Sequence, residues 1–366
     1  MRVPATVTRL AGSGSRRILP ASPDRFDPKR PALRREQGMH RTAKMRGALA
    51  AACAAFCWGG ATVLSKSALD EVTPIALLVL QLSASVVVLW SVILLTRRPV
   101  PPWRNCRVIT LLGLLEPGAA YLLGLIGLVS IRAGDATLIQ AFEAIMIVVL
   151  SACLLKVRPT AGFVLLSAVA LAGLAVTLGA FGPRDGAGSP FGIAMVFLAT
   201  AGAALYVVLS SRLLVDHDPI VVVGLQQLSA LALALAALPF EMLWGGTGTV
   251  LPTSAGSWGI TIASGVIQYA LAFSLYMFAL SKIPANLAGS FLNLTPVFGL
   301  AIAFIALGEA LSGIQLASAA TTILAVTVIQ FQSDAPFRLP GIVRRAGEQL
   351  AHRFRSGAAG DDRFRS

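Results

Sequence analysis

Between Gly47 and Phe331 the chain is a succession of ten apolar runs, each long enough to cross a lipid bilayer. About 20 helical residues at 1.5 Å each span the hydrocarbon core. Inside lipid every backbone N–H and C=O must pair within its own segment, which leaves helices for runs of this kind. The spans are expected at 47–66, 74–95, 107–128, 134–155, 161–182, 190–211, 219–240, 257–280, 285–307 and 312–332. Charged or proline-rich stretches punctuate them, among them Asp70-Glu71, Arg97-Arg98, Arg132, Lys156-Val157-Arg158-Pro159, Asp216-His217-Asp218-Pro219 and Pro284. The expected fold class is therefore an all-α integral membrane protein with ten transmembrane helices.

Composition excludes a soluble enzyme. Hydrophobic residues make up 56% of the chain and charged ones 13%, with a mean hydropathy of +0.76; soluble proteins have roughly 45–50% and 25%. The net charge of +13 is not a nucleic-acid signature, because the tails carry it. Residues 1–46 hold 12 Lys/Arg against 3 Asp/Glu, and residues 333–366 hold 7 against 4. The first segment has no apolar h-region and reads as a disordered basic tail, and the last as a second basic tail. Counting Lys and Arg on alternate sides of ten spans gives 27 against 3, so both termini are expected in the cytoplasm of a multi-pass cell-membrane protein.

The spans divide into two repeats, 47–182 and 190–332. Gln81-Leu82-Ser83-Ala84 recurs as Gln227-Leu228-Ser229-Ala230, and Gly113-Leu114-Leu115-Glu116 aligns with Gly265-Val266-Ile267-Gln268 at an offset of 152. Five spans is an odd number, so the second repeat must thread the bilayer in the opposite sense. Inverted repeats of this design place a substrate site near the midplane.

Within that frame the chain resembles the drug/metabolite transporter superfamily, EamA-type. Trp58-Gly59 with Lys66 carries the likeness in span 1, and Leu294-Thr295-Pro296-Val297-Phe298 leading to Gly308-Glu309 carries it in span 9. The first repeat departs from that pattern, with Glu143 and Lys156 where its own proline and Gly-Glu would stand, and Gln81 in place of an early arginine in span 2.

An ionised carboxylate at the bilayer centre costs at least ~2.5–3.5 kcal/mol, so such groups face a cavity or a partner. Glu116 and Glu143 each lie about 1.5 residues from the centre of their spans, roughly 2 Å of rise. Spans 3 and 4 are joined by a short turn, which makes the two carboxyl groups neighbours that share a proton rather than both ionise. A purely structural role is the competing reading. Pro117 has no N–H for the Gly113 C=O, and a protonated Glu116 would take that carbonyl. Pro296 likewise withholds a bond from the Leu292 C=O in mid-span 9. Polar candidates to line the same cavity are Gln81, Gln140, Gln227, Gln268 and Asn293, with Tyr121, Tyr269, Phe273 and Tyr276 as walls. Nearer the span ends, Lys66, Lys156 and Glu309 read as interfacial anchors, and Arg132 with Asp135 as a surface pair three residues apart.

Missing motifs narrow the function. There is no Gly-Lys dipeptide and hence no Walker A loop, no H-E-x-x-H and no G-x-S-x-G. Cys53, Cys57, Cys106 and Cys153 form no metal-binding pattern and read as packing residues. Neither an enzyme nor a cofactor or metal is expected. The expected function is a secondary transporter moving a small organic solute (an amino acid, metabolite or drug-like compound, by export) across the cytoplasmic membrane by alternating access. The alternative is a membrane-embedded lipid-linked transferase or flippase accessory protein, for which the loops are too short. Partners are the solute and the bilayer, with proton coupling and a homodimer left open and nucleic acid excluded.

Overall fold

Fourteen α-helices and two π-helical segments build the protein in a computed structural model that describes residues 30–155, 160–179, 188–210, 218–244, 251–283 and 285–333. Most of both tails lies outside the described residues, as do Lys156 and Arg184. Among the described residues, those from Ala43 onward form one compact unit, which carries the transmembrane helices.

Span 1 is the apolar part, Thr42–Ala68, of helix α1 (Arg30–Ala68). Its helical backbone begins inside the segment expected as a tail. Residues 30–44 are rich in Arg, Ala, Leu, Glu and Gln, which are good helix formers, and Pro31 sits in the first turn, where its missing N–H costs nothing. Span 2 is α2 (Pro74–Leu95), span 5 α7 (Ala161–Thr177), span 6 α8 (Pro190–Ser210), span 7 α9 (Pro219–Trp244) and span 10 α14 (Gly313–Ser333). The other four are interrupted. Span 3 comprises α3 (Trp103–Leu112), a π segment (Leu114–Ala119) and α4 (Ala120–Leu128), and span 8 comprises α10 (Ala255–Gly265), a π segment (Val266–Leu271) and α11 (Ala272–Leu280). Span 4 is split into α5 (Ala133–Gln140) and α6 (Glu143–Leu155), and span 9 into α12 (Ala285–Leu292) and α13 (Thr295–Leu307). Eight spans are long and apolar enough to cross a membrane whole, and α7 and α14 supply two shorter apolar helices. Together they make the ten expected from the sequence.

The inversion is written in the cross-repeat contacts. Going along span 2, Ile75 meets Glu241, Ser85 meets Gln227, Trp90 meets Gly224 and Arg98 meets Asp218, so span 7 runs antiparallel to its counterpart. Spans 5 and 10 behave alike, with Ala170 bonded to Thr322 and Thr177 to Gln315. Spans 4 and 9 do too, since Glu309 at the end of one accepts from Ala133 at the start of the other. These three pairs of equivalent spans lie against each other in the opposite sense, as a two-fold axis in the membrane plane requires.

The principal core gathers side chains from both repeats, including Leu77, Leu82, Leu138, Ile139, Tyr269 and Ile329. Outward-facing apolar residues such as Leu95, Leu165, Leu243 and Ile305 are exposed, as a lipid-facing surface needs. Cys53 and Cys57 part company there, Cys53 exposed and Cys57 buried, and all four cysteines are free thiols.

Candidate functional site

The interruptions come in matched pairs. The π segment Val266–Leu271 repeats Leu114–Ala119 at an offset of 152, and the break after Leu292 repeats the break after Gln140 at the same offset. Glycines let the bulged spans press onto their neighbours. A Cβ on Gly113 would lie 2.1 Å from the Gln226 carbonyl oxygen, and one on Gly265 would lie 2.5 Å from the Gln81 Cα, so only glycine fits either crossing. Extra turns of π-helix often mark functional positions because they re-aim side chains.

In span 3 the backbone leaves the helical region at Glu116 (φ −143°, ψ 124°) immediately before Pro117. The Gly113 C=O does not wait for a protonated Glu116. It accepts the N–H of Gly118 at 2.8 Å, one residue beyond the reach of an α-helix, and the π segment is the chain's answer to the missing N–H of Pro117. In span 9 Pro296 does not kink a continuous helix as its mid-span position suggests. It stands in the first turn of α13, a position proline favours, and the chain has already broken at Asn293-Leu294. Glu143 opens α6 after the equivalent break, where its charge meets the positive end of a half-helix.

Glu116 and Glu143 come together. The two carboxyl groups lie within electrostatic reach of each other, and both residues are half-buried and surrounded by protein. Glu116 lies within electrostatic reach of Tyr121, Tyr206 and Tyr269, and Glu143 of Tyr121 and Tyr276. These are the only four tyrosines in the chain. Tyr121 and Tyr269 have ring centroids 5.0 Å apart, and Trp58 meets Phe273 at 5.2 Å and Tyr276 at 5.7 Å, both edge to face. Glu116 Oε2, Gln268 Oε1, Trp58 Nε1 and Asn293 Nδ2 are buried without hydrogen-bond partners.

Gln81 and Gln227 fall elsewhere. Gln81 is fully buried, donating to Ser65 Oγ at 2.9 Å and Ser264 Oγ at 2.7 Å, and ties spans 1, 2 and 8. Gln227 accepts from Ser85 at 2.6 Å and donates to the Tyr269 C=O at 3.0 Å, holding span 7 to the second bulge. Both side chains hold helices together in the manner of interhelical hydrogen bonds in lipid. Gln268 lies beside the Tyr121 hydroxyl, and Gln140 ends α5 half-buried. Tyr206 and the wall role of Trp58 are not apparent in the sequence. The available signal is the tyrosine count, since a membrane protein usually spends its tyrosines at the interfaces.

Charged residues near the span ends form clasps. Lys66 Nζ donates to the Leu128 and Val129 carbonyls at 2.8 and 2.9 Å, at the negative end of α4. Gly308 ends α13 in the left-handed conformation (φ 66°) and turns Glu309 toward span 4, where it accepts from the N–H groups of Ala133 and Gly134 at 2.8 and 2.9 Å. Arg132 does not pair with Asp135 on a surface. Asp135 is buried, and Arg132 lies 3.9 Å from Glu309 and donates to the Ala310 C=O at 3.0 Å. Glu241, one residue beyond the expected end of span 7, accepts from Thr73 Oγ1 and from the N–H groups of Ile75 and Ala76, capping α2. On the opposite face Arg98 and Asp218 form an ion pair at 2.6 Å.

The sequence model of the EamA-like transporter family matches residues 45–179 and again residues 190–331, one match per repeat. An uncharacterized transporter of Archaeoglobus fulgidus is 24% identical over 272 residues, covering 74% of this chain and 94% of that protein. A crystal structure of a protein 22% identical in sequence superposes with a TM-score of 0.54, over 77% of this chain and 95% of that one, and supports the fold.

Proposed function

The chain belongs to the EamA-like transporter family, and on that premise we propose that it is a secondary transporter carrying a small organic solute across the cytoplasmic membrane by alternating access. The observation that carries the reading is the pairing of two interrupted spans per repeat, set at equivalent depths around Glu116 and Glu143. Broken helices are tolerated in a bilayer only where protein or a water-lined cavity takes up the loose backbone groups. Rocking of one inverted repeat against the other would expose that cavity to each side in turn.

The two carboxyl groups handle the solute's charged group or a coupling proton. A carboxyl group in an internal cavity changes its protonation when the cavity opens to water, which couples a proton to the conformational cycle. The Lys/Arg-rich face, with Arg98, Lys282 and both tails, is the cytoplasmic one. The test is accumulation from a mixed pool of small organic solutes into vesicles bearing the purified protein, read by mass spectrometry. At least one solute should accumulate saturably above protein-free vesicles. No accumulation and no counterflow of any solute would contradict the reading.

A further inference from the structure

Resting on the transporter reading, the chemistry of the cavity narrows its solute. No Lys, Arg or His lies in the middle of any of the ten spans, so the pair Glu116 and Glu143 has no cationic side chain at its own depth. An anionic solute would meet two acids and no base there. A zwitterion would leave its own carboxylate in the same position, and like charges brought together in low dielectric are a strong ground for exclusion.

The walls favour the opposite charge. Trp58 with Phe273 and Tyr276, and Tyr121 with the fully buried Tyr269, form two aromatic groups with ring contacts of 5.0–5.7 Å, and Glu143 is within electrostatic reach of both. The negative faces of aromatic rings attract cations, most strongly where water is excluded. Of the four buried unpartnered atoms at the site, Trp58 Nε1 and Asn293 Nδ2 are donors and the other two are acceptors. Gln268 is 7% exposed, its amide lies at the Tyr121 hydroxyl, and its Oε1 has no partner. Glu116 Oε2 is also buried and unpartnered. Both atoms are acceptors, and leaving a buried acceptor unmet is unfavourable. An N–H donor carried on a positive charge would satisfy them.

We propose that the cavity takes an organic ammonium ion without a carboxylate, its N–H groups on Glu116, Glu143 and Gln268 and its apolar body against Tyr121, Tyr276 and Trp58.

Equilibrium dialysis of the purified full-length protein with four probes of one shape tests this. They are phenethylammonium, phenylalanine (the same ion with a carboxylate), 3-phenylpropanoate and phenethyl alcohol. Phenethylammonium should bind at least tenfold more tightly than each of the other three. It should lose at least tenfold in Glu143→Gln and in Glu116→Gln, which keep shape but not charge. Binding of phenylalanine, 3-phenylpropanoate or the alcohol by the wild type within tenfold of the ammonium ion overturns the proposal, and that comparison needs no variant to fold. No binding of phenethylammonium overturns it as well. The two readings fail separately. Vesicles that accumulate phenylalanine keep the transporter and lose the cation site, whereas glutamate-dependent ammonium binding without accumulation of any solute keeps the site and loses the transporter.

Discussion

The Glu309 carboxylate accepts the backbone N–H of Gly134 at 2.9 Å, so the last residue of one repeat's Gly-Glu pair caps a helix of the other repeat. Its second oxygen takes the N–H of Ala133, and both donors belong to the unpaired first turn of α5. Glu309→Ala should cost about 1–3 kcal/mol, the range for bonds to a charged acceptor that leave donors unmet. Thermal unfolding in detergent measures this. An unchanged midpoint would remove the clasp between spans 4 and 9.

The crossings at the bulges predict a contrast among glycines. Gly113→Ala and Gly265→Ala drive a methyl group into the backbone of span 7 or span 2, and overpacking of this kind typically costs about 1–3 kcal/mol. Gly259→Ala meets nothing within 4 Å and should leave stability unchanged or slightly raised. Folded yield by size-exclusion chromatography and unfolding midpoints should rank the three. Equal behaviour would mean the bulges are not held by these contacts.

Outside the membrane, Glu71 is hydrogen-bonded by Ser257 and Thr253, which lowers its carboxyl below the usual range and ties the loop after span 1 to the start of span 8. Linkage fixes the sign. With the folded value below the unfolded one, the contribution is complete above the unfolded carboxylate range and fades as pH falls through the folded value. Unfolding midpoints between pH 7 and pH 3 should therefore decline less in Glu71→Gln than in wild type. Parallel curves would show that this contact contributes nothing.

Topology is open to direct measurement. Reporter fusions after Arg97 and after Gly246 should lie on opposite faces, Arg97 in the cytoplasm, as the lopsided distribution of Lys and Arg requires. Fusions reporting the same face would contradict the ten-span inverted arrangement.

Much of the fold is legible in the sequence, for identifiable reasons. Apolar runs of membrane length specify helices whatever their neighbours, and the Gly113/Gly265 alignment marks the repeat, though not the bulges that form beside those glycines. The break between Gln140 and Glu143 is not legible. Neither Ala141 nor Phe142 is a helix breaker, and only its counterpart at Asn293-Leu294, followed by Pro296, carries a local signal. Pro117 frees a carbonyl on sequence grounds, but the π segment re-pairs it within one residue, a backbone remedy that side-chain patterns do not reveal. Gln81 and Gln227 group with the cavity in sequence because a glutamine in lipid looks the same there whether it binds solute or another helix. Partners such as Ser65, Ser264 and Ser85 decide, and each is remote in sequence from the glutamine it meets.

The most direct test of Glu116 and Glu143 as one midplane site is solute flux in proteoliposomes with and without a pH gradient. It should be run with the solute that the wild type accumulates, comparing wild type, Glu116→Gln and Glu143→Gln. Each substitution keeps shape and hydrogen bonding but cannot ionise. If the pair carries protons, both variants lose accumulation driven by the gradient while solute exchange remains measurable. Wild-type rates and wild-type pH dependence in both variants would contradict that role.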